Sequence, residues 1–318
     1  MKAIPKWAKQ IPHSDLFQNG SLIEWKIFSA VLAYAAGDAF GVPYEFKERK
    51  SVSDIKKLES AENWPFGGVS DDTLLSILTL ESLPVLDPLK AAETFLQKLQ
   101  SEVNNLRGLG PTTRNALGLP IKENELESVG STNGGMMRTA LCGLAFNSLS
   151  TNERRAWIAP HVAATHKKEI VVECALALSA AFSKSLELVP TDDVKLVTDF
   201  VVDELKAINA TSYTEFKDFN FKTWQPPTAG TSLDPIATLK AVLWSVSVGE
   251  DAFGVYKNAC SLGGDTDTVA ALAGSLFVVL TGDYESFFEI EWLEQIAWHE
   301  IPRIGDSIMH IVNRRVLK

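Results

Sequence analysis

The chain has few of the residues that mark several common classes of protein. Among its 318 residues are three cysteines, too few and too scattered for a disulfide framework. Acidic residues outnumber Lys and Arg by 40 to 30, giving a formal charge of −10, and binding to a nucleic-acid backbone requires clustered cations instead. The N-terminus has no apolar core typical of a signal peptide, and we find no run of ~18 apolar residues; the strongest run is 269–280. We therefore expect a cytoplasmic protein, monomeric, without a membrane or nucleic-acid partner.

The hydrophobic pattern has the period of a helix along nearly the whole chain. Apolar residues at spacings of three and four are typical of amphipathic helices, and clean alternation is hard to find. Glycine and proline concentrate in short segments between these stretches, without the composition of a flexible linker. We predict an all-α protein with one domain over 1–318 and helices at 21–36, 71–82, 87–105, 134–147, 152–163, 168–187, 191–208, 234–248, 251–261, 266–280, 284–297 and 302–315.

Two acidic clusters stand at predicted helix starts. Asp71 and Asp72 follow Ser70, and Asp265 and Asp267 follow a pair of glycines. Helix capping explains one oxygen at each start, since one N-cap side chain satisfies one or two amides. It does not explain two acids at each start. Four carboxylates gathered without a cation would repel one another.

The predicted ligand atoms are all oxygens. Four carboxylates together with the hydroxyls of Ser70 and Thr268 suit a hard cation such as Mg²⁺, Mn²⁺ or Ca²⁺. Zinc is disfavoured because the five histidines include no helical His-x-x-x-His pair and the cysteines no Cys-x-x-Cys pair. The residues alone leave open what chemistry such a site performs, and a two-metal phosphohydrolase would use the same ligands.

Six motifs in order resemble those of the ADP-ribosylglycohydrolase family, which includes the dinitrogenase-reductase-activating glycohydrolase and the ADP-ribosylarginine and ADP-ribosylserine hydrolases. The resemblance covers roughly residues 25–282. The motifs are GDAFGVPYE at 37–45, SDDT at 70–73, GLGPTTR at 108–114, NGGMMR at 133–138, TH at 165–166 and GGDTDT at 263–268.

The resemblance implies an orthogonal helical bundle with a binuclear Mg²⁺ or Mn²⁺ centre in a cleft. The metal ligands that it implies are Ser70, Asp71, Asp72, Asp265, Asp267 and Thr268. It implies that the diphosphate of ADP-ribose lies against the glycine-rich segment Gly130, Ser131, Thr132, Asn133, Gly134 and Gly135, near His166. Glu45 matches an acid on a mobile flap, and we expect Asp72 or Glu45 to handle the proton in catalysis.

Some positions depart from the family pattern. Ser131 stands where several members carry an aromatic residue that stacks on adenine, so we expect Trp224 or Phe66 to hold the adenosine. Asp234 near the cleft would pair with a guanidinium, although Asp234 before a proline is also a good helix N-cap. We expect Asp38 to be a buried structural acid, paired with Arg138.

The resemblance implies hydrolysis of the glycosidic bond between ADP-ribose and a modified group, which reverses ADP-ribosylation. We expect arginine on a protein as the leaving group, although a small-molecule ADP-ribose conjugate remains open. Immunity against an ADP-ribosylating toxin and reversal of an endogenous modification would look alike in the sequence. An alternative of another class is a catalytically silent ADP-ribose-binding protein on the same scaffold.

Overall fold

A computed structural model describes residues 4–316, and within that range the chain forms α-helices, short 3₁₀-helices and no β-strand. One isolated bridge joins Thr231 and Gly264. The α-helices are α1 Ser14–Gln18, α2 Leu22–Gly41, α3 Asp71–Leu80, α4 Pro88–Glu102, α5 Pro111–Ala116, α6 Gly134–Thr139, α7 Thr151–Ala163, α8 Glu169–Glu187, α9 Lys195–Ala207, α10 Tyr213–Phe216, α11 Pro235–Val248, α12 Ala252–Ser261, α13 Thr266–Thr281, α14 Tyr284–Phe288 and α15 Ile304–Val316. The 3₁₀-helices are Ala8–Gln10, Val42–Tyr44, Val52–Asp54, Val103–Asn105, Glu123–Ser128, Ala140–Ala145, Ser148–Ser150, Glu291–Gln295 and Trp298–Glu300.

The all-α prediction is confirmed, with differences where helices are short or change type. The region predicted as one helix at 134–147 is α6 followed by a 3₁₀-helix, and 284–297 is likewise divided. α2 continues to Gly41, five residues beyond its predicted end at 36. Its second half is buried on all sides, so apolar periodicity cannot mark where this helix ends.

Helices α2 and α13 form an antiparallel pair at the centre of the fold. A Cβ at Gly37 would lie 2.4 Å from the Ala270 carbonyl oxygen, and one at Gly41 would lie 2.3 Å from Cα of Asp267. The two glycines are four residues apart and therefore on the same face of α2. Their missing side chains allow the backbones to touch, and this contact brings the end of α2 against the start of α13.

A segment other than the apolar run at 269–280 has the length and mean hydropathy of a membrane span. Residues Leu22–Tyr44 are long and apolar enough to cross a membrane by length and composition, which 269–280 is not. The apolar window of this segment is entirely buried inside the protein, as expected for the central helix of a core. The buried apolar residues form one continuous cluster around α2 and α13.

Candidate active site

The two acidic clusters lie at the first turns of α3 and α13. Ser70 is the N-cap of α3, and its hydroxyl accepts a hydrogen bond from the amide of Asp72 at 3.1 Å. Asp265 occupies the N-cap position of α13 without making a side-chain cap; its carboxylate accepts instead from the side-chain amide of Asn133, on the loop before α6. Helix capping therefore explains Ser70 but does not explain the four aspartates.

Asp38 joins α2 to the start of α3. Its carboxylate accepts from the amide of Ser70 at 3.0 Å and from the amide and hydroxyl of Thr73 at 3.0 and 2.6 Å. These bonds satisfy amides that the helix itself leaves open. The prediction of a buried structural acid fits, but the predicted pairing with Arg138 is wrong. The Arg138 guanidinium donates to the His161 carbonyl and the Thr165 hydroxyl.

The paired glycines before Asp265 form a tight crossing of three chain segments. Gly264 has a φ of +74°, and a Cβ there would lie 2.1 Å from the Thr231 carbonyl oxygen. The Gly264 carbonyl accepts from the amide of Phe46 at 2.7 Å, and the Asp265 amide donates to the Thr231 carbonyl at 2.9 Å. Only glycine fits both the backbone conformation and the space. The crossing places Glu45, next to Phe46 in sequence, against the start of α13.

Carboxylates from three segments meet in one cavity of about 180 Å³. Oxygens of Glu45, Asp265 and Asp267 lie within 4.8 Å of one another, while Asp71 and Asp72 line the same cavity outside this triad. Its lining residues are Glu45, Phe46, Asp71, Asp72, Gly108, Leu109, Gly110, Pro111, Thr113, Arg114, Glu125, Thr132, Asn133, Gly134, Met137, His166, Leu233, Asp265, Asp267 and Thr268.

Burial and mutual repulsion disfavour the charged forms of these acids. Burial raises the pKa of Asp71 to about 8, with a further contribution from the charge of Asp38. Burial likewise raises the pKa of Asp265 to about 6 and, with the Asp265 charge, that of Glu45 to about 8. The pKa of Asp72 is also raised well above its usual range, by burial first and then by Asp38. A nearby cation would reverse this balance.

The residues present fit divalent cations. The Oδ2 atom of Asp72 is buried without a hydrogen-bond partner, which is costly unless another group binds it. The Glu45, Asp265 and Asp267 carboxylate oxygens are close enough to share an ion, and oxygen is the ligand atom that hard divalent cations prefer. Of the two predicted hydroxyl ligands, Thr268 lines the cavity, whereas Ser70 lies buried behind it as the helix cap.

The glycine-rich segment contributes part of the predicted substrate site. Thr132, Asn133, Gly134 and His166 line the cavity, but Gly130, Ser131 and Gly135 do not. A Cβ at Gly135 would lie 2.9 Å from the Val162 side chain, so this glycine permits packing of α6 on α7. Burial lowers the pKa of His166 to about 3, and the positive charge of Arg138 adds to the effect.

Three further residues lie elsewhere than expected. Trp224 packs against Phe219 and Trp244, and neither Trp224 nor Phe66 lines the cavity. Asp234 is exposed and caps α11 by accepting from the amide of Ala237 at 2.9 Å, as the alternative interpretation of this residue predicted.

The sequence did not single out Phe46 or the Arg114–Glu125 ion pair. Phe46 lines the cavity and is 68 % exposed as a residue, and its φ of +53° is unusual for a bulky residue. Arg114 lies within a motif already noted and donates to both oxygens of Glu125 at 2.7 Å. Nothing in the sequence marks Glu125 as its partner.

Comparisons with known proteins agree with this architecture. The profile of the family described as ADP-ribosylglycohydrolase matches residues 21–317. An uncharacterized protein of Archaeoglobus fulgidus is 25 % identical over 86 % of this chain and 95 % of its own. The ADP-ribosylarginine hydrolase Tri1 of Pseudomonas putida is 26 % identical over 85 % of this chain and 74 % of its own. A solved structure titled ADP-ribosylglycohydrolase-related protein complex has a TM-score of 0.71 at 21 % identity, covering 92 % of this chain and 99 % of its own, and so shares the fold.

Proposed function

The chain belongs to the ADP-ribosylglycohydrolase family, and on this basis we propose that it hydrolyses the bond between ADP-ribose and an arginine side chain of a modified protein, with two divalent cations, Mg²⁺ or Mn²⁺, as cofactors. The observation that carries the proposal is the meeting of two acidic helix starts and Glu45 in one cavity that Thr132, Asn133 and His166 also line. Cytoplasmic location and a monomeric state remain predictions.

The cation ligands in this proposal are Asp71, Asp72, Asp265, Asp267 and Thr268, with Ser70 fixing the first turn of α3. Bound cations would hold the ribose hydroxyls and lower the pKa of a water molecule. Departure of the leaving group needs a proton, because the transition state at the ribose resembles an oxocarbenium ion.

Glu45 is suited to supply that proton. It lies at the cavity beside Asp265 and Asp267, and in the metal-free protein burial, followed by the charges of Asp265 and Asp71, raises its pKa. After donation, the Glu45 carboxylate can take a proton from water. Asp72, with its unpartnered Oδ2, is the second candidate for this step.

Arginine as the leaving group is supported by the similarity to a relative named ADP-ribosylarginine hydrolase. The match covers 85 % of this chain and 74 % of that relative. Asp234, which the sequence offered as a guanidinium partner, is engaged as a helix cap, so we do not assign the leaving-group contact to it.

A panel of ADP-ribosylated substrates tests the proposal. Arginine-linked and serine-linked conjugates are incubated with Mg²⁺, with Mn²⁺ and with a chelator, and free ADP-ribose and free phosphate are quantified. We expect ADP-ribose from the arginine-linked substrate only when metal is present. Binding of ADP-ribose without release would support a silent binding protein, and release of phosphate would support a phosphohydrolase.

A further inference from the structure

A second space adjoins the acidic cavity at Phe46. It is an open groove of about 610 Å³, within the range of about 300–1,000 Å³ that ligand sites occupy. Its walls are the segments 46–49 and 228–232, and Gly264 completes the lining. Phe46 lines both the cavity and the groove, so the two spaces meet at this residue.

The groove lies on the Glu45 side of the cavity. Glu45 directly precedes Phe46 in the chain, and Gly264, whose carbonyl accepts from the Phe46 amide at 2.7 Å, directly precedes Asp265. The glycine-rich segment 130–135 and His166, on the proposed ADP-ribose side, do not line the groove. A leaving group that takes its proton from Glu45 therefore leaves the cavity towards the groove.

The floor of the groove is a close backbone crossing. Gly230 has a φ of +88°, and a Cβ there would lie 2.6 Å from the amide nitrogen of Gly264. The Gly264 amide in turn donates to the Lys47 carbonyl at 3.2 Å. Contacts on both sides of Phe46 thus hold it at a φ of +53°, a conformation that a bulky residue keeps only where its surroundings enforce it. The groove is therefore formed before any ligand binds.

One wall of the groove carries two cations without acidic partners. Lys47 donates to the Pro43 carbonyl and Arg49 to the Pro226 carbonyl at 3.4 Å, and within residues 4–316 neither side chain forms an ion pair. Glu48 is the one acid among the lining residues of the groove. The chain as a whole has a formal charge of −10, and the neighbouring cavity is acidic, so this wall differs in charge from its surroundings.

We propose that the groove binds the polypeptide on either side of the modified arginine and favours chains with acidic residues next to it. The modified side chain enters the cavity past Phe46, which is 68 % exposed and offers apolar surface to its methylene groups. Asp or Glu residues of the bound chain pair with Lys47 and Arg49, while the guanidinium faces the acidic cavity. This inference rests on the proposed function, and it assigns a modified protein rather than a small-molecule conjugate as the substrate.

Two labelled peptides test the groove in the presence of Mg²⁺. Both carry the same ADP-ribosylated arginine, flanked by Asp and Glu in one peptide and by Asn and Gln in the other. We expect kcat/KM to be about tenfold higher for the acidic peptide at low salt, as two exposed ion pairs can supply. The ratio should fall as the ionic strength rises, because exposed charges are screened. Equal values for the two peptides at low salt would overturn the proposal.

The double variant Lys47→Gln/Arg49→Glu should lose the preference for the acidic peptide. Glutamine can still donate to the Pro43 carbonyl, so the wall keeps its hydrogen bond. The matched control is Lys90→Gln/Lys195→Glu, which changes the net charge equally at exposed positions in the first turns of α4 and α9. If the control loses the preference to the same extent, the net charge and not the groove is responsible, and the proposal is wrong.

ADP-ribosylarginine without flanking residues separates this inference from the proposed function. Its hydrolysis depends on the cavity alone, so release of ADP-ribose from it supports the proposed function whatever the peptides show. A higher kcat/KM for this conjugate than for the acidic peptide would contradict a protein substrate. If nothing is cleaved, the proposed function fails, and fluorescence anisotropy of the same two peptides then decides about the groove, with equal affinities counting against it.

Discussion

Metal-free protein should lose stability as the pH rises, and a divalent cation should restore it. Asp71 is buried, and its folded-state pKa of about 8 lies above the ordinary 3.8. A carboxyl whose pKa is raised on folding stabilises the fold only while it stays protonated. Its contribution is complete below about pH 4 and is lost progressively as the pH rises towards 8.

The size of this effect follows from the two pKa values. Between the unfolded and folded pKa, each pH unit costs about 1.4 kcal/mol per group, so a rise from about pH 6 to about pH 7.5 costs about 2 kcal/mol through Asp71 alone. For 318 residues the unfolding entropy is about 0.7 kcal/mol per kelvin. The melting temperature should therefore fall by about 3 °C over this range from Asp71 alone.

The assay is calorimetric melting of chelator-treated protein at several pH values, with and without Mg²⁺ or Mn²⁺. Asp71→Asn should be more stable than the wild type without metal at about pH 7.5, with a smaller dependence on pH and a weaker response to metal. Asp87→Asn is the matched control, because Asp87 is an exposed N-cap and asparagine caps equally well. Equal pH slopes for Asp71→Asn and the wild type, or no response of the wild type to either cation, would refute the reasoning.

Three further outcomes can be measured. Asp267→Ala should abolish both turnover and metal binding by calorimetry, and activity retained in it would argue against a metal-centred mechanism. Gly41→Ala, whose Cβ would lie 2.3 Å from Cα of Asp267, should cost about 1–3 kcal/mol in chemical denaturation and weaken metal binding together, because α2 must move away from the start of α13. Glu204→Gln should cost about 3 kcal/mol or more with KM unchanged, since it removes the negative charge that pairs with buried Arg154 at 2.8 Å and with Arg155; an unaltered melting temperature would show that this charge contributes nothing.

The fold was predictable where helices are long and have one apolar face. α5 and α10 are too short to show a period, and α5 begins at a proline within a glycine-rich segment that resembles a loop. The end of α2 could not be located because its last turns are buried on every side. The length of α2 depends on its packing against α13, and no local sequence pattern indicates that contact.

The parts of the site that lie in short sequence motifs were predictable. Asp71, Asp72, Asp265 and Asp267 stood out because each helix start carries more acids than a cap needs, and the structure places all four at one cavity. The partners of Arg138 could not be predicted, because the sequence does not show that α7 brings His161 and Thr165 to it.

Phe46 illustrates the same limit. Its exposure at the cavity depends on the crossing with Gly264, more than two hundred positions along the chain. The sequence around Phe46 gives no indication that Gly264 is its neighbour. The structure therefore shows Phe46 at the cavity, where we had expected Trp224 or Phe66.

Mass spectrometry of the products from a purified ADP-ribosylarginine substrate tests the central claim most directly. With Mg²⁺ or Mn²⁺, we predict equal amounts of intact ADP-ribose and unmodified arginine, and neither product after chelation. Formation of AMP or phosphate, or the same yield of ADP-ribose with chelator as with metal, would contradict the account.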